Sequence, residues 1–191
     1  AHEDYLQCLA QLSDLADVFV INISSPNTKG LRLLQTSENL ESFLKPILDY
    51  KGAKALAQPF LIKLSPDMPE NDLLQMIDTS QKLGIDGWIL TNTTLARPEQ
   101  SSFPSEGGLS GAFLTEKSRG RLKECLQHIR PLRQKHLVVS AGGIMNEDEA
   151  MERLEMGAHL LQVYSALIFE GPFFFRNTLK KMRIGDATLI I

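Results

Sequence analysis

The sequence predicts an α/β fold of parallel strands joined by crossover helices, and three observations carry that prediction. Short apolar runs alternate with amphipathic stretches: Asp17 to Ile23, Phe60 to Leu64, Gly87 to Leu90, Leu137 to Val139 and Leu160 to Val163 are the runs. Such alternation is what βα units produce. Each run then ends in polar or glycine residues, as SSPN, SPD, TNTT, SAGG and YSAL. The residues that enter the runs, among them Gln58, Pro59, Asp86 and His159, share no chemistry. Parallel α/β folds bind ligands beyond the C-terminal ends of their strands. A doubly wound sheet would concentrate its site at one switch point, whereas all five loops are polar here. That favours a TIM (β/α)8 barrel. Such a barrel takes eight strands and roughly 250 residues, so five runs preceded by one helix read as its last five βα units, strands four to eight.

The helices follow from apolar spacing. Tyr5 to Ala16 carries Leu6, Leu9, Ala10 and Leu12, and Leu40 to Tyr50 carries Leu40, Phe43, Leu44, Ile47 and Leu48. Glu70 to Leu83 carries Leu73, Leu74 and Ile77 and stops at Gly84, a natural C′ residue. Lys117 to Arg133 is the next. Asn146 to Met156 opens on Asn146 as N-cap, with Glu149 three residues on as a variant capping box, and stops at Gly157. A short helical turn at Ser165 to Phe169 and a last helix from Pro172 to about Met182 complete the pattern. Residues 1–182 thus read as one barrel portion, and 183–191, ending IGDATLII, as a tail of unclear status.

Charge and composition exclude several classes. With 20 basic and 23 acidic residues the net charge is −3, which offers no basic excess to a nucleic-acid backbone. LRQKH, Leu132 to His136, reads as a solvated helix end. Cys8 and Cys125 stand far apart, outside any CxxC pattern, and read as packing residues of a reduced protein. The four histidines show no metal-ligand spacing. The first residues, AHEDYLQCLA, do not read as a signal peptide, and no apolar run approaches the ~20 residues of a membrane span. The chain reads as soluble.

The strand ends hold the candidate site. SAGGI follows the fourth run and YSALIFEGP the fifth. If these runs are strands seven and eight, Gly142, Gly143, Tyr164 and Ser165 form the phosphate site common to such barrels; the plainer alternative is a glycine turn and an ordinary helix start. GGLSG, Gly107 to Gly111, follows a long loop from Ala96 to Glu106, which is either a ligand clamp or a surface loop. Lys63 lies inside FLIKL. Alternation turns Leu61 and Lys63 inward and Phe60, Ile62 and Leu64 outward. An inward ammonium needs a partner, which an anionic cofactor would supply; the alternative is a lysine snorkelling at a strand edge. Thr91 to Thr94 supplies one amide flanked by hydroxyls, and Asn22, Ser24, Ser25 and Asn27 supply another cluster. Amides suit a planar polar ring bearing carbonyls and N–H groups, though each cluster could equally be an Asx or Ser/Thr turn.

Taken in order, NISSPNTKGLR, IKLSPD, TNTT, GGLSG, SAGGI and LLQVYSALIFEGP resemble the dihydroorotate dehydrogenase family, over about Asp4 to Met182. The resemblance implies an FMN-linked barrel that oxidises dihydroorotate to orotate in pyrimidine synthesis. Soluble classes of that family carry a cysteine in the strand-four loop and the quinone-reducing class 2 a serine. Ser25 at the matching place resembles class 2, with ubiquinone or menaquinone as acceptor. Carried over by residue, the resemblance implies that Ser25 takes the C5 proton of dihydroorotate while the C6 hydride passes to flavin N5. A serine can do this only in a dry, hydrogen-bonded site. Asn22 would contact both substrate and FMN, and Asn27 the substrate. Lys63 and Thr91 would contact FMN, with Lys63 offsetting charge on the reduced flavin. Asn92 and Thr93 would hold the orotate ring, and Gly111, Gly143, Tyr164 and Ser165 the FMN phosphate, beside Gly142.

The family's first strands carry further FMN contacts, a lysine for the substrate carboxylate and an asparagine-rich substrate loop. Class 2 members add an apolar helical pair that docks on a membrane. None of these has a counterpart in this sequence. The expectation is therefore of a C-terminal barrel portion that binds FMN weakly and turns over little or no dihydroorotate alone. Membrane contact is expected through an N-terminal region: at the cytoplasmic face of the cell membrane in a bacterium, or the inner mitochondrial membrane in a eukaryote. Alternative readings are a non-catalytic partial barrel that pairs through its strand edges, or another phosphate-binding flavin barrel.

Overall fold

In the computed structural model, which describes residues 2–25, 34, 37–99, 102–104, 106–129 and 135–185, the five apolar runs become five parallel strands. They are β1 (Phe19–Asn22), β2 (Phe60–Leu64), β3 (Gly87–Leu90), β4 (Leu137–Ala141) and β5 (Leu160–Gln162), and they lie side by side in chain order. Helices α1 (His2–Leu12), α2 (Ser37–Ala53), α3 (Glu70–Leu83), α4 (Thr115–His128), α5 (Glu147–Met156), α6 (Ser165–Glu170) and α7 (Phe173–Gly185) precede, link and follow them. Sequential parallel order with a helix in each connection is the barrel pattern, here as a wall of five strands. Among the described residues β1 pairs only with β2, and β5 only with β4.

Alternation decides which way the wall faces. Phe60, Ile62 and Leu64 of β2 join Ile21, Trp88, Leu90 and Val138 in one core with Leu44 and Ile47 of α2 and Leu73 and Ile77 of α3. Leu61, Ile89, Val139 and Ala141 form a separate, smaller cluster on the opposite face. Burying each large side chain contributes about 1.5–3 kcal/mol. A one-residue slip of register would therefore expose the larger set and cost more than the sheet could bear. The helices pack in succession, α1 on α2, α2 on α3, α3 on α4, α4 on α5 and α5 on α7, as one curved layer over the outer face. The inner face is thinly covered at its margins, where Val20 and Leu160 are exposed.

Predicted helix ends hold where a cap fixes them. Gly84 and Gly157 close α3 and α5 in the left-handed conformation, and the Asn146 side chain accepts from the Glu149 N–H at 2.9 Å. Other limits move. Helix α1 ends before Ala16, α2 starts earlier and ends later than expected, and α4 begins after a 3-10 turn at Ala112–Leu114 and stops at His128. Strand β4 runs on through Ser140 and Ala141, because the Ala141 carbonyl accepts from the Thr91 N–H at 2.7 Å. Three expectations need correction or qualification. His136 is no solvated helix end: its ring stacks on Trp88, with centroids 5.1 Å apart, while residues 131–134 lie outside the described residues. Cys125 is buried as expected, its thiol pushed up to about 12 by burial, but Cys8 is exposed on α1. Of the expected tail, the first residues continue α7 to Gly185, and 186–191 lie outside the described residues.

Candidate functional site

All five strand ends open on one side of the wall. Register sets Asn22 of β1 beside Lys63 of β2. The loops after β3, β4 and β5 complete a cavity of about 410 Å³ in front of Lys63. Nine of the twelve residues expected from the sequence line it: Lys63, Thr91, Asn92, Thr93, Gly111, Gly142, Gly143, Tyr164 and Ser165. Asn22 stands at its margin through a hydrogen bond to Asn92, and half-buried Ser25 lies three residues beyond Asn22. Asn27 lies outside the described residues.

Lys63 points inward, as alternation requires. Its Nζ donates to Gln162 Oε1 of β5 at 2.7 Å. Burial holds its pKa below the usual lysine value. None of the ion pairs among the described residues includes it. The inward reading therefore holds over the snorkelling one, and the site presents a desolvated cation whose neighbour is a neutral amide. Such a cation gains from an anionic or carbonyl-rich ligand.

Beside it, three side chains interlock. Ser24 is fully buried. Its hydroxyl donates to the Lys63 carbonyl at 2.7 Å and accepts from Asn92 Nδ2 at 3.0 Å. Asn92 Nδ2 also reaches Asn22 Oδ1 at 3.1 Å, and Asn92 Oδ1 accepts from the Thr93 N–H at 2.8 Å. Both Asn92 amide hydrogens are thus used within the protein, which leaves acceptor capacity on Oδ1 and the Nδ2 group of Asn22 to meet a ligand.

The loop after β3 is pinned rather than loose. Thr94 and Leu109 form an antiparallel bridge that carries GGLSG to the cavity. Asp67 accepts from Thr94 Oγ1, from Lys117 Nζ at 2.5 Å and from the Leu95 N–H at 2.7 Å. Burial pushes the Asp67 carboxyl up, but these hydrogen bonds outweigh it and hold its pKa below the usual value. Arg97 donates to the carbonyls of Pro104 at 2.9 Å and Gly107 at 2.7 Å. Ser110, carried on the same segment, meets Ser165 with Oγ atoms 2.9 Å apart.

The two glycines after β4 serve packing as well as access. Gly142 and Gly143 have φ of 95° and 71°. A Cβ on Gly143 would sit 2.3 Å from the Thr115 Cα, and one on Gly142 would sit 2.7 Å from Leu114 Cδ2. Ligand approach and a glycine turn are the two roles the sequence offers them; they also let the loop lie against the start of α4. Their carbonyls accept from Ser118 Oγ and Thr115 Oγ1, both at 2.6 Å. In a trans peptide the N–H points opposite the preceding C=O, so the N–H groups of Gly143 and Ile144 turn away from α4. Tyr164 is exposed at the rim and Ser165 begins α6.

Sequence reasoning gave Ser24 no role of its own and passed over Gln162 and Ser110, which line the cavity. The signal for Gln162 was there: a polar residue inside the apolar run LLQV. Among the described residues no cluster of His, Cys, Asp and Glu could hold a metal ion, and no helix is long and apolar enough to cross a membrane. The arrangement suits a planar, carbonyl-rich ring beside Lys63 and the amides, with an anionic tail at the glycine loops.

The chain is 41% identical over 179 residues to a protein of Deinococcus deserti named dihydroorotate dehydrogenase (quinone), covering 90% of this chain and 49% of that protein. It is 37% identical over 176 residues to a protein of the same name from Halobacterium salinarum, covering 91% and 48%. The chain thus spans about half the length of the curated relatives it matches. The crystal structure of DHODH from Eimeria tenella in complex with ferulenol superposes with a TM-score of 0.85 at 29% identity, covering 95% of this chain and 53% of that one. The family model for dihydroorotate dehydrogenase matches residues 1–184, from α1 through α7; the chain belongs to the dihydroorotate dehydrogenase family.

Proposed function

We propose that this chain supplies the cofactor-binding wall and part of the substrate site of a class 2 dihydroorotate dehydrogenase, which converts dihydroorotate and a quinone to orotate and the quinol. The observation that carries this reading is Lys63, a desolvated ammonium held by the Gln162 amide and facing the glycine loops across one cavity. These residues fit FMN: a cation and amides for the ring, backbone N–H groups and two serines for the phosphate. When bound, FMN supplies the hydride acceptor and relays electrons to ubiquinone or menaquinone.

The chain's own residues do the rest. Ser25 takes the proton at C5 of dihydroorotate, and Asn22, Asn27, Asn92 and Thr93 orient its ring. Lys63 and Thr91 hold the flavin ring, and Lys63 offsets negative charge there. Gly111, Gly142, Gly143, Tyr164 and Ser165 hold the phosphate. The loop hydrogen bonds keep these groups in place before a ligand arrives, so little ordering entropy is spent on binding. Peripheral membrane contact belongs to the same proposal.

Titration of the purified chain with FMN, read by quenching of flavin fluorescence, tests the reading. Saturable quenching is expected, weakened by Lys63→Met. A chain that is folded by circular dichroism yet leaves millimolar FMN unquenched overturns it.

A further inference from the structure

We propose that Arg153, buried beneath the glycine loop after β4, is a positioning residue that aims that loop's N–H groups at a ligand phosphate. The inference rests on the flavin reading above. Arg153 is fully buried. One of its terminal nitrogens donates to the Thr115 carbonyl and to Ser118 Oγ, each at 2.9 Å, and the other to Ser140 Oγ at 3.2 Å. Its Nε donates to Glu149 Oε1 at 2.5 Å. A single guanidinium therefore ties β4, α5 and the first turn of α4 together.

That first turn is what grips the loop. Ser118 has one hydroxyl hydrogen, and the short contact to the Gly142 carbonyl at 2.6 Å takes it, so the same oxygen accepts from Arg153. Thr115 holds the Gly143 carbonyl with its side chain while its own carbonyl accepts from Arg153. Two relays thus run from the guanidinium to the two carbonyls whose opposite faces are the Gly143 and Ile144 N–H groups. Lysine could keep the charge but not the four directed bonds, because its donors spread from one atom. Glu149 neutralises the buried charge, and Arg119 shares that carboxylate from the outside.

The loop geometry governs the phosphate end of a flavin, not its ring. The test is accordingly selectivity between FMN and riboflavin, which share the ring and differ by the phosphate. Both affinities are measured by fluorescence quenching for the wild type and for Ser118→Ala, Arg153→Lys and Arg153→Met. Wild type is expected to prefer FMN. Ser118→Ala should weaken FMN roughly tenfold, the size of one lost charge-assisted hydrogen bond, and leave riboflavin within about twofold. Arg153→Lys should fall between wild type and Arg153→Met. If Ser118→Ala weakens both flavins equally, or weakens neither, the positioning role is wrong and Arg153 serves stability alone. Ser118→Ala keeps the buried ion pair, so the result stands even if Arg153→Met fails to fold. Wild-type protein that binds neither flavin overturns the flavin reading and this inference together, and that result is read before any variant is made.

Discussion

Lys63 Nζ lies 2.7 Å from Gln162 Oε1, although β3 and β4 stand between their strands. The curvature of the wall brings the two side chains together over the inner face. A flat sheet, with neighbouring strands about 4.8 Å apart, would separate them by roughly three such spacings. The contact therefore reports barrel curvature and also defines the charge of the site.

Removing the ammonium should cost the fold little and the ligand much. Lys63 is desolvated beside a neutral amide, so Lys63→Met relieves a burial penalty. The thermal midpoint should stay level or rise. Affinity for FMN and riboflavin alike should fall by about tenfold or more, near 1.4 kcal/mol. Thermal melts and paired quenching titrations check both halves. A lower midpoint with unchanged flavin affinity would make Lys63 a structural residue.

Ser24 should behave in the opposite way. Its hydroxyl is buried and serves both the Lys63 carbonyl and Asn92. Ser24→Ala removes that carbonyl's side-chain donor and one of the two acceptors of the Asn92 amide. Urea unfolding should show a loss of about 1–3 kcal/mol. A loss below about 0.5 kcal/mol would mean that water or a neighbour replaces the hydroxyl at no cost.

The two serines show how far a sequence can be read. Their place at a strand end was legible, because the apolar run VFVINI stops there. Which of them is buried was not, since strand β1 ends at Asn22 and alternation lapses beyond it. Lys63 could be oriented because β2 is five residues long with apolar residues on both sides of the lysine. Gln162 could not, because β5 has three residues and offers too short a period. The sequence of α5, EDEAMERLEM, looks like a solvated helix face; burial of Glu149 and Arg153 depends on Arg119, Ser118 and Ser140 arriving from elsewhere in the chain. Long-range polar networks leave no local period, and that is why this one was missed while the strand order was not.

Acid should loosen the β3 loop. The Asp67 carboxyl is held below the usual range by Lys117, Thr94 and Leu95, against the opposing push of burial. Glu149 is held down in the same way by its two arginines. The unfolded chain therefore binds protons more readily than the folded one around the ordinary carboxylate value of roughly 4. Stability from these groups is complete above that value and is lost as pH falls through it toward their folded values. Urea unfolding between neutral pH and that window should show the decline, and Asp67→Asn should flatten part of it. An unchanged slope in Asp67→Asn would leave the loop anchored by something other than this carboxylate.

Arg97 sets the last prediction. It is paired with no carboxylate among the described residues; its guanidinium instead gathers carbonyls from both ends of the long loop, at Thr94, Leu95, Ala96, Pro104, Glu106 and Gly107. Such closure is what holds the two ends together, since the loop's described residues contribute nothing to the buried core. Arg97→Ala should therefore raise the rate of limited proteolysis within residues 96–106 several-fold while the global unfolding midpoint moves little, because opening is local. Ser110 rides on the far end of the same loop, so flavin affinity should fall in step with the faster cleavage. Arg97→Lys, which keeps the charge but loses the fork, should resemble alanine. Cleavage at the wild-type rate in Arg97→Ala would show that the Thr94 and Leu109 bridge closes the loop unaided.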